Sequence, residues 1–365
     1  MRQRSTLHLV VAVVLGLTVL VGCGTDDEDT TTPSPIADTT DPSSAADAAE
    51  QTGAEESADD DTSQAATEGE TRTVESLYGP VEVPVAPQRV FTLDEYAGAA
   101  MIYSGVEPVA SFAPFRARIP LAILDRSGVE VTEIAFGEWS VEAIAAIEPD
   151  MIVMTDLGDP TLVETLNGVA PTVAVPFIAP WPDIVDAVGG ASGRPDVAVN
   201  LSDELNARLA ELAATAPEAS VFSVLASGPQ FGTYSIAEGA VGSSVLEQAG
   251  YTRPEAQLVP PDFGVSLTLS PETLGDHDGD YVLQLGGDEA FYSVEELQAL
   301  PTFQGISAVD DGRTGVGLGE IWTSFDPFSV FWMTEDLLAI RAGRAPGTFD
   351  DLDRRWEAFL AVAAA

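Results

Sequence analysis

One sequence pattern occurs twice in this chain. Ser140-Val-Glu142-Ala-Ile-Ala-Ala-Ile-Glu-Pro-Asp150-Met-Ile-Val153 aligns without gaps on Ser270-Pro-Glu272-Thr-Leu-Gly-Asp-His-Asp-Gly-Asp280-Tyr-Val-Leu283. Ser140/Ser270, Glu142/Glu272 and Asp150/Asp280 are identical, and Ile144/Leu274 keep an apolar position. Each Ser reads as a helix N-cap, and each Glu falls in the first helical turn, where the helix dipole favours a carboxylate. Each Asp closes the turn that leads into a buried strand. Ser-x-Glu alone is a common helix start. Two copies in the same helix–turn–strand context argue instead for two lobes of similar build.

The surrounding pattern agrees. A hairpin is expected at 72–77 and 80–85 around Tyr78-Gly79-Pro80, followed by alternating strands (89–93, 108–112, 151–154, 172–175) and helices (94–105, 140–147, 162–168). Strands alternating with helices indicate parallel sheet covered on both faces. No strand is expected across 183–215. There Val197, Leu201, Leu205, Leu209 and Leu212 form one helical stripe, predicting a helix over 196–214. The αβ rhythm then resumes with strands at 221–225 and 281–285 and helices at 242–250, 270–274 and 294–300, closing on an apolar helix at 326–342 and an amphipathic tail. The expected fold class is α/β: two Rossmann-like αβ lobes (72–182 and 217–365) bridged by one long helix within 183–216.

The N-terminus has a different character. Arg2 and Arg4 precede an apolar run over 7–21, the order of a signal peptide spanning 1–22. The run is shorter than the roughly 20 residues a membrane-spanning helix needs. Leu20-Val21-Gly22-Cys23 resembles the lipobox of bacterial lipoproteins, which implies lipid attachment at Cys23, the single cysteine, and a chain anchored on the extracytoplasmic face of the cell membrane. With one cysteine no intramolecular disulfide is possible. Residues 23–71 are rich in Thr, Ser, Ala, Asp and Glu, too poor in large apolar groups to fold, and read as a disordered acidic tether. The whole chain carries 15 basic against 59 acidic residues, a formal charge of −44. Such a field repels nucleic acid.

Arg89-Val-Phe-Thr-Leu-Asp-Glu-Tyr-Ala97, Gly105-Val-Glu-Pro-Val109 and Ile144-Ala-Ala-Ile-Glu-Pro-Asp-Met-Ile-Val153 resemble the first lobe of iron-siderophore substrate-binding proteins. These are periplasmic binding proteins whose two lobes share one rigid helix, the helical-backbone fold, in a class that also holds cobalamin and haem binders. The resemblance implies a monomeric receptor that captures a ferric siderophore between its lobes and hands it to the permease of an ABC importer. Iron would be bound only through the siderophore, with no cofactor of the protein's own. The resemblance also implies that one glutamate per lobe docks on the permease, at the repeated positions Glu142 and Glu272.

Ligand in such a fold contacts the loops that follow the strands. In the first lobe those loops contain Asp94-Glu-Tyr96, residues 112–118, 136–139 and 155–160. Arg116 and Arg118 stand out in a chain short of cations, because a planar guanidinium suits an oxygen-rich anionic chelate. Trp139, Tyr234 and Trp322 are the aromatic candidates, each able to offer a flat face and a polar handle, with Phe291 and Tyr292 in a similar loop. The second lobe has no arginine cluster, which favours a hydroxamate or mixed ligand over a trianionic catecholate. The alternative of a secreted hydrolase finds little in the sequence. Past the leader His277 is the single histidine, in a turn expected to be solvated, and Gly-x-Ser-x-Gly is absent.

Overall fold

The computed structural model describes residues 69–364 apart from 219 and 263. The expected signal peptide, Cys23 and the tether up to residue 68 lie outside the described residues.

The first lobe opens with a hairpin of β1 (Thr71–Ser76) and β2 (Gly79–Pro84). There follow β3 (Val90–Thr92), α1 (Glu95–Tyr103), β4 (Ala110–Ala113), α2 (Arg118–Arg126), β5 (Glu130–Glu133), α3 (Val141–Ala146), β6 (Met151–Thr155), α4 (Pro160–Asn167) and β7 (Thr172–Val175). The sheet runs β5-β4-β3-β6-β7, parallel throughout. Helix α5 (Trp181–Ser192) ends at Gly193, whose φ of 73° is a left-handed cap open to glycine, and Pro195 then starts α6 (Pro195–Ala214). Helix α6 spans about 30 Å. It buries Val197, Leu201, Leu205, Leu209 and Leu212, the stripe seen in the sequence.

The second lobe contains β8 (Phe222–Gly228), β9 (Gly232–Ile236), α7 (Val241–Gln248), β10 (Ser266–Thr268), a 3-10 segment over Pro271–His277, β11 (Tyr281–Gly286), α8 (Val294–Gln298), α9 (Pro301–Gln304), α10 (Ser307–Asp310), β12 (Thr314–Leu318), α11 (Gly319–Trp322), α12 (Pro327–Arg341) and α13 (Leu352–Ala363). Its strand order, β10-β9-β8-β11-β12, repeats that of the first sheet position for position. The sheet is mixed rather than wholly parallel, because β9 runs antiparallel to both of its neighbours, β8 and β10. Residues 229–231 alone join β8 to β9, enough for a hairpin and too few for a parallel crossover.

The repeat has a structural meaning carried by its aspartates. Asp150, just before β6, accepts backbone N–H bonds from Gln88 and Arg89 (2.6 and 2.9 Å) at the entrance to β3, and β3 pairs with β6. Asp280, just before β11, accepts the Val221 N–H (2.8 Å) at the entrance to β8, which pairs with β11. Each carboxylate thus ties together the starts of two central strands. The serines diverge. Ser140 caps α3 by accepting the Ala143 N–H at 3.1 Å, whereas the Ser270 hydroxyl donates to the Glu272 carboxylate and the helix behind it is 3-10. His277, expected in a solvated turn, is 5% exposed at the end of that 3-10 segment.

One core cluster runs from Val74 of the hairpin through α5, α6 and α12 to Phe359 of α13, so the inner faces of both sheets share it. The outer faces have separate cores around Ile144 and Leu274. Helix α12 is buried on every side from Pro327 to Thr334, where its sequence is mostly apolar, and its last turns keep Glu335 and Leu338 partly in solvent. The tail helix α13 returns toward the first lobe: the Phe359 ring lies 5.6 Å from Tyr103 of α1, and Asp353 pairs with Arg126 of α2. Residues 352–363 thus contact the first lobe as well as the second. A core held in common, with α5, α6 and α12 running through it, opposes wide hinging.

Candidate functional site

The carboxyl ends of β3, β4, β6 and β7 face a cleft whose other wall comes from the second lobe. Two adjoining cavities occupy it, about 360 and 550 Å³ in volume, sharing Phe115, Phe177, Phe231, Tyr292 and Phe325 as walls. Together they are of the size that takes a small organic ligand.

Aromatic rings dominate the lining. On the first lobe Phe177 packs against Tyr96 (5.1 Å between centroids) and stacks on Phe115 (5.6 Å), and Phe115 meets Phe136 at 5.4 Å. On the second lobe Phe231 adjoins Phe291 (5.7 Å) and Phe291 adjoins Tyr292 (6.2 Å). Phe177 and Phe325, 6.0 Å apart, bring the two sets together across the cleft. Two glycines make room for this wall. A Cβ on Gly228 would sit 2.1 Å from the Phe291 carbonyl oxygen, and one on Gly319 would sit 2.3 Å from the Tyr292 ring. Tyr292 is further held by a 2.8 Å hydrogen bond between its hydroxyl and that of Thr323.

Buried carboxylates fix the loops beneath the rings. Asp94 caps α1 by accepting the Ala97 N–H (2.9 Å) and also accepts the Thr155 N–H (2.8 Å), joining α1 to the end of β6. Glu95, fully buried, accepts the Ala117 N–H at 2.8 Å and so pins the loop that carries Phe115, Arg116 and Arg118. Burial outweighs these backbone bonds in both cases. It raises the Asp94 carboxyl above the usual range and pushes Glu95 up to about 7.

The expected ligand contacts divide on inspection. Arg116 and Arg118 both line the first cavity, but each guanidinium already has a carboxylate partner. Arg116, in the left-handed region at φ 56°, pairs with Glu133 of its own lobe at 3.3 Å. Arg118 reaches across to Glu320 of the second lobe, its Nε 2.9 Å from Oε1. Tyr234 lines the second cavity, and its hydroxyl donates to the Phe291 carbonyl at 3.2 Å. Trp139 is half-buried with its ring edge-on to Phe136 at 5.6 Å; it backs the wall instead of forming it. Trp322, expected at the ligand, does not face the cleft. It is fully buried, stacked on Phe222 at 6.1 Å, and its Nε1 donates to Asp336 at 3.2 Å, so its polar handle serves the core. The glutamates of the repeat, Glu142 and Glu272, are exposed, one on each lobe.

The sequence reading missed the loop after β7. Pro176, Phe177 and Ile178 line the cleft, and the signal was available: a strand at 172–175 followed directly by apolar residues. It also missed the hairpin turn. Leu77 lines the second cavity, and the neighbouring Tyr78 hydroxyl donates to Asp156 at 2.5 Å. Among the described residues no group of three or more His, Cys, Asp or Glu is placed to hold a metal ion, and no helix is long and apolar enough to cross a membrane.

Known proteins share this architecture. The siderophore-binding lipoprotein YfiY of Bacillus subtilis, a curated relative described as probable, is 26% identical over 232 residues, 60% of this chain and 70% of its own. A periplasmic solute binding protein of Mycobacterium smegmatis superposes with a TM-score of 0.61 at 21% identity, covering 75% of this chain and 98% of that one. The periplasmic catecholate-siderophore binding protein VctP of Vibrio cholerae gives a TM-score of 0.59 at 18% identity, covering 75% of this chain and all of its own (100%). A periplasmic binding protein family model matches residues 110–314, more than half of the sequence, and the chain belongs to that family.

Proposed function

We propose that this protein is the substrate-binding lipoprotein of an ABC importer, capturing a ferric siderophore in the interlobe cleft and delivering it to a membrane permease. The observation that carries the reading is the cleft itself: a ring-lined space between two lobes, wide enough for a bulky chelate, in a chain of the periplasmic binding protein family. A siderophore offers extensive organic surface around its iron, and stacked or edge-on rings bury such surface well. Ligand contacts are assigned to Phe115, Phe177, Phe231 and Tyr292, with Tyr234 beneath and Arg116 and Arg118 at the rim. Binding is non-covalent and no catalytic step is assigned. Glu142 and Glu272 are the permease contacts, and Cys23 holds a monomeric receptor at the outer face of the membrane.

Titration of the chain with ferric hydroxamates, ferric catecholates, haem and cobalamin, followed by Trp fluorescence, tests this. Saturable quenching by at least one ferric siderophore at micromolar concentration or below is expected. Quenching by haem or cobalamin alone would assign the cleft to those ligands and end the siderophore reading.

A further inference from the structure

The charges around the cleft are unevenly distributed. Two arginines, Arg116 and Arg118, line it against five carboxylates, those of Asp156, Asp183, Asp288, Glu320 and Asp326. Both arginines are engaged, Arg116 by Glu133 and Arg118 by Glu320. Glu320 also accepts the Asp288 N–H at 3.2 Å, which holds its carboxylate in place facing the guanidinium. An anionic ligand that took Arg118 would leave Glu320 unpaired beside the anion. The ring faces add to this bias, because their quadrupole attracts cations and disfavours anions. The field of a strongly acidic chain acts in the same direction.

We propose that the cleft selects ferric complexes without net negative charge, of the tris-hydroxamate class, and discriminates against trianionic tris-catecholates. Three singly deprotonated hydroxamates cancel the charge of ferric iron. Three doubly deprotonated catecholates leave a trianion. The neutral complex meets the rings through its organic backbone and asks for no free cation. A hydroxamate bearing a spare ammonium group gains from the carboxylate excess. The inference rests on the siderophore reading and goes beyond it by naming the charge class of the ligand.

The test titrates the full chain with a neutral cyclic ferric tris-hydroxamate, a linear one carrying a free amine, and a ferric tris-catecholate, at low and at moderate salt. Both hydroxamates are expected to bind about a hundredfold tighter than the catecholate at low salt, with the gap narrowing as salt screens the repulsion. Catecholate binding equal to or tighter than hydroxamate binding would overturn the inference while leaving the siderophore reading intact. Binding of none of the three would sink both. In E320Q, which keeps an oxygen for the Asp288 N–H and removes the negative charge that neutralises Arg118, the ratio of catecholate to hydroxamate affinity should rise about tenfold. D288N removes a second carboxylate and should move the ratio the same way. An unchanged ratio in both variants would overturn the charge argument.

Discussion

Arg118 of the first lobe and Glu320 of the second meet across the cleft, with Nε 2.9 Å from Oε1 and the guanidinium 4.8 Å above the Phe349 ring. Their side chains are 41% and 18% exposed. A pair this accessible contributes little to global stability, on the order of 1 kcal/mol or less. Its position gives it a larger effect on how the lobes rest against each other.

Arg118→Ala should therefore leave the denaturation midpoint nearly unchanged, a loss below about 1 kcal/mol. Amide hydrogen exchange in the loops around Phe115 and Tyr292 should rise, because the cleft loses its one ion pair between lobes among the described residues. Unchanged exchange in both loops would show that the shared core alone sets the closure.

Trp322 and Phe115 should respond in opposite ways to truncation. Trp322→Ala empties a core position and removes a donor to Asp336, so a loss of about 3–5 kcal/mol is expected in denaturant titrations. Phe115→Ala removes a partly exposed ring from the cleft wall and should cost about 1 kcal/mol of stability while weakening ligand binding about tenfold. A Trp322→Ala protein of normal stability would return that residue to the ligand site.

Glu95 makes stability depend on pH in a defined window. Burial lifts its carboxyl to about 7, so between the ordinary glutamate range and about 7 the folded chain keeps a proton that the unfolded chain has released. Stability then falls as pH rises through that window, by roughly 3 kcal/mol in all, and Asp94, raised as well, acts in the same direction. Glu95→Gln keeps an acceptor for the Ala117 N–H and removes the charge. It should flatten the fall and exceed the wild type above about pH 7. A wild-type curve already flat over that range would contradict the assignment.

Glu142→Arg and Glu272→Arg, each at an exposed position outside the cleft, should abolish uptake in cells while ligand affinity stays at the wild-type value. A fall in affinity would instead tie these residues to the fold or the cleft. Cys23→Ala should release a protein that still binds ligand and supports uptake poorly, because the tether no longer raises its concentration at the permease.

The sequence by itself determined what local periodicity can encode. The alternation of strands and helices, the stripe from Val197 to Leu212 that became α6, and the doubled Ser-x-Glu segment that marked two lobes all depend on neighbours within a few turns. The doubled Asp was visible too, but its role was not, since Asp150 acts on Gln88 and Arg89 and Asp280 on Val221. Only the tertiary structure decided which aromatics face the cleft. Phe177 and Phe325 meet there from different lobes, while Trp322, in the same segment as Phe325, turns into the core toward Asp336. It also decided the charge of the site. Arg118 looked like a free cation in the sequence, and more than two hundred positions separate it from the carboxylate that neutralises it. The side a residue faces and the partner it finds are set by how the two lobes come together on α6, and spacing along the chain carries no record of that.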